Sequence, residues 1–420
     1  MYGLRLLRHL RSSSILWVAA LSVATASEPP IGTQPFTDHR NPPSYRKLSE
    51  TELARYDLGM TVFNTQFLAA GTPNAGRRAG VGPLFNSASC DACHNNGAHG
   101  RGPTEDGPAP APLVIQLATS TPRNLSDPDG DPVYGRVFNT ISLHGVPPEG
   151  TVMIHYEEAT GRYPDGSSWH LRVPHYTFTD LHYGALAPQT IVKPRLAPAL
   201  FGAGLLDDAD AVPHNQGRFG WQATALSVRD QTARAFAREM GLTSTGMSHD
   251  DCTSAETACL QQPGGGSPEV SDDLFDAVLS FQRWLAVPAS PSPHAFPDVD
   301  GRTFANLGCT ACHQPYLNVP SVGATIAPYT DLRLHNLGNR LADSDVSGHK
   351  VSSKWRTAPL WGLGYRVSFE RFPTFLHDGR ARSVEEAILW HDGEAAGARK
   401  KFEHLTGEQR KTLLHWLETL

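Results

Sequence analysis

The sequence predicts a mainly α protein with two similar halves and a β-containing insertion in the first half. Three observations predict this fold class. Helix-start patterns recur along the chain, one segment of the first half is echoed in the second, and residues 113–193 are rich in strand-forming residues.

Four short patterns combine a hydroxyl residue with an acidic or amide residue three positions later, which is typical of a helix N-terminus. They are "SETE" from Ser49, "SVRD" from Ser227, "SVEE" from Ser383 and "TGEQ" from Thr406. The run "DDLFDAVLSFQRWLA" (272–286) has apolar residues at helical spacing. These segments predict most of the helical content.

The insertion, at about residues 113–193, differs in composition from the rest of the chain. It contains "PLVIQLA", "TVMIHYEE" and "WHLRVPHYTF", which are rich in β-branched and aromatic residues. We expect strands here, inside an otherwise helical protein.

The internal echo joins "FGWQATALSVRDQ" (219–231) to "FLHDGRARSVEEA" (375–387). Phe219 matches Phe375, and the Ser-Val pair that begins a predicted helix is present in both. Chance similarity over so short a segment is the alternative. A second motif, described next, is also duplicated, and this favours two related halves.

The unit C-x-x-C-H occurs once in each half, as "CDACH" and "CTACH". Two cysteines at this spacing can add to the vinyl groups of one haem, and the histidine then lies at the iron as an axial ligand. A zinc ribbon needs its Cys pairs about 15–20 residues apart, and a redox dithiol does not account for the histidine. The motifs therefore predict two covalently bound c-type haems in two cytochrome c-like domains. The attachment residues are Cys90, Cys93 and His94, and Cys309, Cys312 and His313.

The N-terminus has a basic start, an apolar stretch from Ile15 to Ala24 and the small-residue site Ala24-Thr25-Ala26. This pattern indicates a signal peptide over residues 1–26 and therefore a periplasmic location. A membrane anchor is the alternative, but the apolar stretch is shorter than the ~20 residues that a membrane span needs. We expect no span in the mature chain. In an oxidising compartment the remaining cysteines, Cys252 and Cys259, are expected to form a disulfide, although two unrelated thiols are the alternative.

The predicted domains are a first haem domain at 27–251, a disulfide-closed linker loop at 252–271 and a second haem domain at 272–420. The formal net charge is −6, and no basic face argues for nucleic acid as a partner.

The chain resembles bacterial diheme c-type oxidoreductases of the peroxidase and thiol oxidoreductase type, which are related to diheme cytochrome c peroxidases. The resemblance rests on "GPLFNSASCDACHNNGAHGRGP", "GRFGWQATALSVRDQTARAFAREMG", "RTAPLWGLG" and "FLHDGRARSVEEAILWHDGEA". It implies that one haem reacts with peroxide and the other relays electrons. By the same resemblance, Trp221 lies between the haems, Gln231 lines the peroxide pocket and Glu239 is the acid–base residue.

The resemblance also implies a distal ligand for the relay haem. In these peroxidases it is a methionine, and its place falls on His391 in this sequence, which has no methionine after Met247. Related peroxidases hold calcium between their domains, and "RTAP" (356–359) lies where some of its ligands would come from, so calcium is a further candidate cofactor. For the first haem, the distal ligand is left open: the candidates include His99, His144, His175, His182 and His214. Met60, Met240 and Met247 are possible thioether ligands, although a buried methionine is more often part of the core.

The sequence thus predicts a periplasmic diheme oxidoreductase of the peroxidase type. Its expected partners are a small redox protein and a small oxidant such as hydrogen peroxide. Two alternatives stay open: a diheme cytochrome that only carries electrons, and an oxidase of a thiol, a metal ion or a protein substrate.

Overall fold

The computed structural model describes residues 32–36, 38, 40–119, 129–249, 251–289 and 299–420. The predicted signal peptide lies outside these residues. The helices are α1 (Glu50–Asn64), α2 (Ala203–Asp208), α3 (Val228–Glu239), α4 (Thr257–Leu260), α5 (Asp272–Trp284), α6 (Val299–Leu307), α7 (Leu363–Phe369), α8 (Val384–Trp390), α9 (Ala396–Glu403) and α10 (Gly407–Leu417). The strands are β1 (Thr33–Gln34), β2 (Leu84–Phe85), β3 (Gly107–Pro108), β4 (Leu113–Ala118), β5 (Val137–Phe138), β6 (Ile141–Ser142), β7 (Thr151–Arg162), β8 (Ser168–Thr179), β9 (Ile191–Leu196), β10 (Val287–Pro288), β11 (Leu317–Val319), β12 (Ala324–Ile326), β13 (Leu334–Asn336), β14 (Asp343–Asp345), β15 (Lys350–Ser352) and β16 (Lys354–Arg356).

The prediction of a mainly α fold is wrong. Of the described residues, 29% are helical and 21% are in strands, so the fold mixes α and β structure. The strands that were missed are β1, β2, β3 and β10, each two residues long, and β11 to β16, each three residues long. Such short strands carry too few residues for a period-two pattern, and their partners decide their conformation.

The strands expected in the insertion are present. β7 and β8 pair over their whole length in an antiparallel hairpin, from Thr151 opposite Thr179 to Arg162 opposite Ser168. β4 pairs with β9 in a five-stranded sheet of order β15-β14-β9-β4-β5. Because β14 and β15 come from the second half, this sheet joins the insertion to residues beyond the predicted linker.

The predicted helix starts are confirmed at all four positions. The hydroxyl groups of Ser49, Ser227, Ser383 and Thr406 each accept a hydrogen bond from the backbone N–H three residues later. This satisfies one of the N–H groups that a helix N-terminus leaves without an intrahelical partner.

The echoed segments share one backbone conformation. Phe219 bridges Ala225 in antiparallel fashion, and Phe375 bridges Ala381 in the same way. In the first copy Gly220 and Ala223 have positive φ values of 74° and 51°, and the matching Leu376 and Gly379 have 71° and 73°. Two of these four residues, Ala223 and Leu376, are not glycine. A positive φ is uncommon for such residues, so packing of the surrounding structure must stabilise the turn.

The described residues form two large apolar cores. The first surrounds α1, α3 and α5 and contains Phe63, Phe236 and Phe281. The second surrounds α6, α8 and α10 and contains Phe304 and Trp416. In the part of the chain that is described, no helix combines the length and the apolar character needed to cross a membrane.

Candidate functional site

The two C-x-x-C-H units have the same local backbone. The N–H of His94 donates to the carbonyl of Cys90 at 2.9 Å, and that of His313 donates to Cys309 at 3.0 Å. None of the four cysteines of these motifs forms a disulfide.

The imidazole rings of His94 and His313 are oriented in the same way. Nδ1 of His94 donates to the carbonyl of Pro198 at 2.8 Å, and Nδ1 of His313 donates to Tyr329 at 2.9 Å. Such a bond fixes the tautomer that leaves Nε2 as a metal ligand. Among the described residues, neither Nε2 has a hydrogen-bond partner. Burial lowers the pKa of both histidines to about 4, so both rings are neutral near pH 7.

The first cavity has a volume of about 260 Å³ and contains Cys90, Cys93 and His94 in its wall. Helix α3 forms one side. Val228, Gln231, Ala235 and Glu239 lie along one helix face at intervals of three and four residues and all line the cavity. Gln231 and Glu239, predicted from the resemblance, are therefore brought to the same space as the first motif.

Glu239 carries the cavity's most shifted carboxyl group. Burial raises its pKa from 4.5 to about 7, against a hydrogen bond from Asn86 and the charge of Arg238, which lower it. The amide of Asn86 donates to Glu239 Oε2 at 3.5 Å. A carboxyl group with a pKa near 7 can both hold and release a proton at neutral pH.

The second cavity has a volume of about 400 Å³ and contains Cys309, Cys312, His313 and His391. His391 follows α8, and its Nδ1 donates to the carbonyl of Ala387 at 2.8 Å. Its Nε2 makes no hydrogen bond to any described residue. The second cavity thus holds two histidines with the same orienting bond, His313 and His391.

Trp221 lines both cavities. Its indole N–H donates to the carbonyl of Leu196 at 2.8 Å, and its ring meets that of His377 edge-on at 6.5 Å between centroids. His377 is buried and stacks on Trp355 at 3.8 Å. Burial lowers the pKa of His377 to about 3, which suits a structural role beside the second cavity.

Of the five histidines left open for the first haem, His99 lines the first cavity and the other four do not. His99 also lines the second cavity, and its Nδ1 is buried without a partner in the described chain. Met240 lines the first cavity as well. A coordinating side chain is therefore within reach of this space alongside Glu239 and Gln231.

Comparison with known proteins places this geometry in a family. No curated protein matches the sequence. The model of the family described as "Di-haem oxidoreductase, putative peroxidase" matches residues 32–112 and 199–420. The chain belongs to this family. A matching solved structure is a hydrazine synthase of Kuenenia stuttgartiensis pressurised with xenon, which is 13% identical, covers 98% of this chain and 100% of that chain, and has a TM-score of 0.38. A likeness at that level carries no argument about the fold.

A di-haem oxidoreductase needs two sites that fit haem, and both cavities do. Each places two thiols and a neutral histidine with a free Nε2 at one wall. The second adds His391, and its surface is largely apolar, with Phe304, Leu307 and Leu413 in the wall. Haem attached through vinyl groups and bound by imidazole requires this set of donors.

Sequence reasoning missed several residues of this di-haem oxidoreductase that line the cavities. Trp361 and Arg356 line both cavities, and Lys193 lines the first. Trp361 and Arg356 belong to the stretch "RTAPLWGLG", which was recognised as a family mark but assigned no role in the haem sites. Lys193 belongs to the insertion, between the two segments that match the family. No motif marks Lys193, because its position depends on the register of the sheet.

The described residues contain no cluster of ligands that supports the calcium prediction. Within the described residues, no group of three or more His, Cys, Asp or Glu side chains could hold a metal ion. The guanidinium of Arg356 donates instead to the carbonyls of Gly220 and Thr357, at 3.0 and 3.3 Å.

Cys252 and Cys259 are joined by a disulfide in the structure. The loop that they close is held against the insertion, because Thr253 donates to the carbonyl of Val133 at 2.6 Å. Asp251, just before the loop, accepts a hydrogen bond from the N–H of Val137 at 3.2 Å. The linker therefore contacts the insertion just before β5, and the residue that precedes the linker contacts β5 itself.

Proposed function

We propose that this di-haem oxidoreductase is a periplasmic c-type enzyme of the peroxidase type. In this proposal the first cavity receives peroxide, and the second relays electrons one at a time from a small redox protein. The observation that carries the proposal is the difference between the cavities. In the second, both His313 and His391 have an Nδ1 held by a backbone carbonyl, whereas in the first His94 has such a bond, and Glu239, Gln231 and His99 also lie in the wall.

The four free cysteines would hold the haems covalently, through Cys90 and Cys93 in one cavity and Cys309 and Cys312 in the other. When bound, haem supplies an iron that accepts and releases single electrons. The test is mass spectrometry of the denatured protein, in which two haems should stay attached to the chain. Release of either haem on denaturation would contradict covalent attachment at that motif.

Glu239 would manage the protons of peroxide. Reduction of hydrogen peroxide to two molecules of water consumes two electrons and two protons. As the carboxylate, Glu239 can accept a proton from one peroxide oxygen and return it to the oxygen that leaves. Gln231 lies on the same helix face and can donate a hydrogen bond from its amide to the bound peroxide.

A second candidate function is electron transfer without catalysis. The observation in its favour is that His99 and Met240 also line the first cavity and are residue types that ligate haem iron. In that case both haems would be six-coordinate, and peroxide would find no open position.

Electron paramagnetic resonance of the oxidised and half-reduced protein separates the two functions. The peroxidase proposal expects one high-spin and one low-spin haem in at least one of these states. Low-spin signals alone from both haems of the oxidised protein and from the one haem that stays ferric in the half-reduced protein, with no turnover of peroxide, would leave the electron carrier as the function.

A further inference from the structure

The insertion forms one wall of the first cavity. Along β4 and its flank, Pro112, Val114 and Gln116 alternate toward the cavity, and along β9 Lys193 and Arg195 do the same. The register explains the pattern, because Gln116 is opposite Lys193 and Val114 is opposite Arg195. Side chains two apart on a strand and directly opposite on its neighbour share one face of a sheet.

Apart from Pro112, the residues of this wall lie between the two segments that match the family, 32–112 and 199–420.

Arg195 is fully neutralised. Its guanidinium makes a bidentate ion pair with Asp343, with N–O distances of 2.8 and 2.6 Å, and both side chains are buried. The amide of Gln222 donates to the same carboxylate at 3.1 Å. The carboxylate of Asp343 is thus already bound by Arg195 and Gln222.

Lys193 is different. The residue is 5% exposed, and its ammonium makes no hydrogen bond or ion pair with any described residue. Burial and the positive charge of Arg195 lower its pKa from 10.5 to about 8. A buried cation is costly unless it is paired, so the free amine that faces the cavity calls for an anionic partner.

We infer that Lys193 is an anion-binding residue of the first cavity and that it holds a carboxylate in the working protein. This inference rests on the proposed function, because it assumes that the first cavity is the reactive one. A carboxylate could come from two sources, a propionate of the first haem or a free carboxylate that enters beside it. In either case the ammonium forms a charge-assisted hydrogen bond to a carboxylate oxygen.

The test compares the holo-protein with Lys193→Met, Lys193→Arg and Lys411→Gln. The Met variant keeps the shape of the side chain and removes the buried charge, so we expect it to fold. The Arg variant keeps the charge. Lys411 is exposed on α10, and its variant controls for a change in net charge. Equal haem content in all four proteins establishes that they are comparable.

Formate is the probe, titrated into each oxidised protein while the absorption of the first haem is followed. If the carboxylate is free, the wild type binds formate, Lys193→Met binds it roughly tenfold or more weakly, and the two other variants retain it. If the carboxylate is a propionate, none of the proteins binds formate. The reduction potential of the first haem then falls in Lys193→Met alone, because a positive charge beside a haem favours its reduced form.

The inference is overturned if Lys193→Met matches the wild type in both formate affinity and reduction potential. Neither readout requires peroxide turnover. A protein that fails to reduce peroxide but shows either change would contradict the proposed function and leave the role of Lys193 intact.

Discussion

At the scale of single residues, Glu239 joins a position in the first cavity to a pKa of about 7. Glu239→Gln keeps the shape and removes the proton exchange, so peroxide turnover should fall by roughly 10²–10⁴-fold while both haems are retained. Steady-state kinetics with haem quantification measures this. Asp230→Asn is the control, since Asp230 pairs with Arg234 at 2.8 Å on the same helix and should affect stability more than rate. Unchanged turnover in Glu239→Gln would remove the proton role.

The same carboxyl group predicts a change of stability with pH. Its pKa is raised in the folded protein, from 4.5 to about 7, so folding favours its protonated form. The stability from this preference is complete below about pH 4.5 and is lost as pH rises through 7. Between pH 5 and pH 8 the wild type should therefore lose thermal stability relative to Glu239→Gln. Parallel melting curves at the two pH values check this, and a constant difference in melting temperature would argue against the shift.

His391 carries the third prediction at this scale. Its Nδ1 is fixed by the carbonyl of Ala387, and its Nε2 shares the second cavity with His313. Replacing it in His391→Ala should convert one low-spin haem to high-spin and leave the other unchanged. His404→Ala is a matched control, because His404 makes the same Nδ1 bond to a carbonyl four residues earlier but is exposed. A low-spin spectrum identical to the wild type would exclude His391 as the ligand.

At the scale of elements, sequence predicts what is encoded locally. The cap residues Ser227 and Ser383, the C-x-x-C-H turns and the strands of the β7–β8 hairpin each depend on residues close together in the chain. β14 is different, because its three residues pair not only with the nearby β15 but also with the distant β9, a pairing that no local pattern reveals. Lys193 likewise faces the first cavity only because of the register between β4 and β9, which no local pattern reveals.

The contact between β9 and β14 supports a stability prediction. Arg195 and Asp343 form a buried bidentate pair there, with Arg195 over the ring of Trp355 at 4.7 Å. Asp343→Leu alone leaves a buried guanidinium without a counter-charge and should cost about 3–5 kcal/mol. Arg195→Met combined with Asp343→Leu should cost less than Asp343→Leu alone, because no charge is left unpaired. Denaturant unfolding of Arg195→Met, Asp343→Leu and the double variant measures this, and additive losses would show that the pair is not coupled.

At the scale of the whole molecule, the sequence predicts two related halves, and the shared turn at Phe219 and Phe375 agrees with that repeat. It does not predict how the halves are joined. The five-stranded sheet takes strands from both, and the two cavities share a wall that includes Trp221, Trp361 and Arg356. The two sites are therefore parts of one structure, in which the same side chains line both cavities.

That shared wall carries the last prediction. Trp221 is packed between the cavities by its bond to Leu196 and its contact with His377. Trp221→Phe keeps an aromatic ring but removes the indole, whose ring is the more easily oxidised, so electron transfer between the haems should slow while each haem keeps its spectrum. Rapid reduction through the second haem, followed by the arrival of the electron at the first, measures this rate. Trp361→Phe is the matched control, because Trp361 lines the same two cavities. If Trp361→Phe slows the transfer and Trp221→Phe does not, the electron passes through Trp361 instead. Equal rates in both variants and the wild type would mean that neither indole carries the electron.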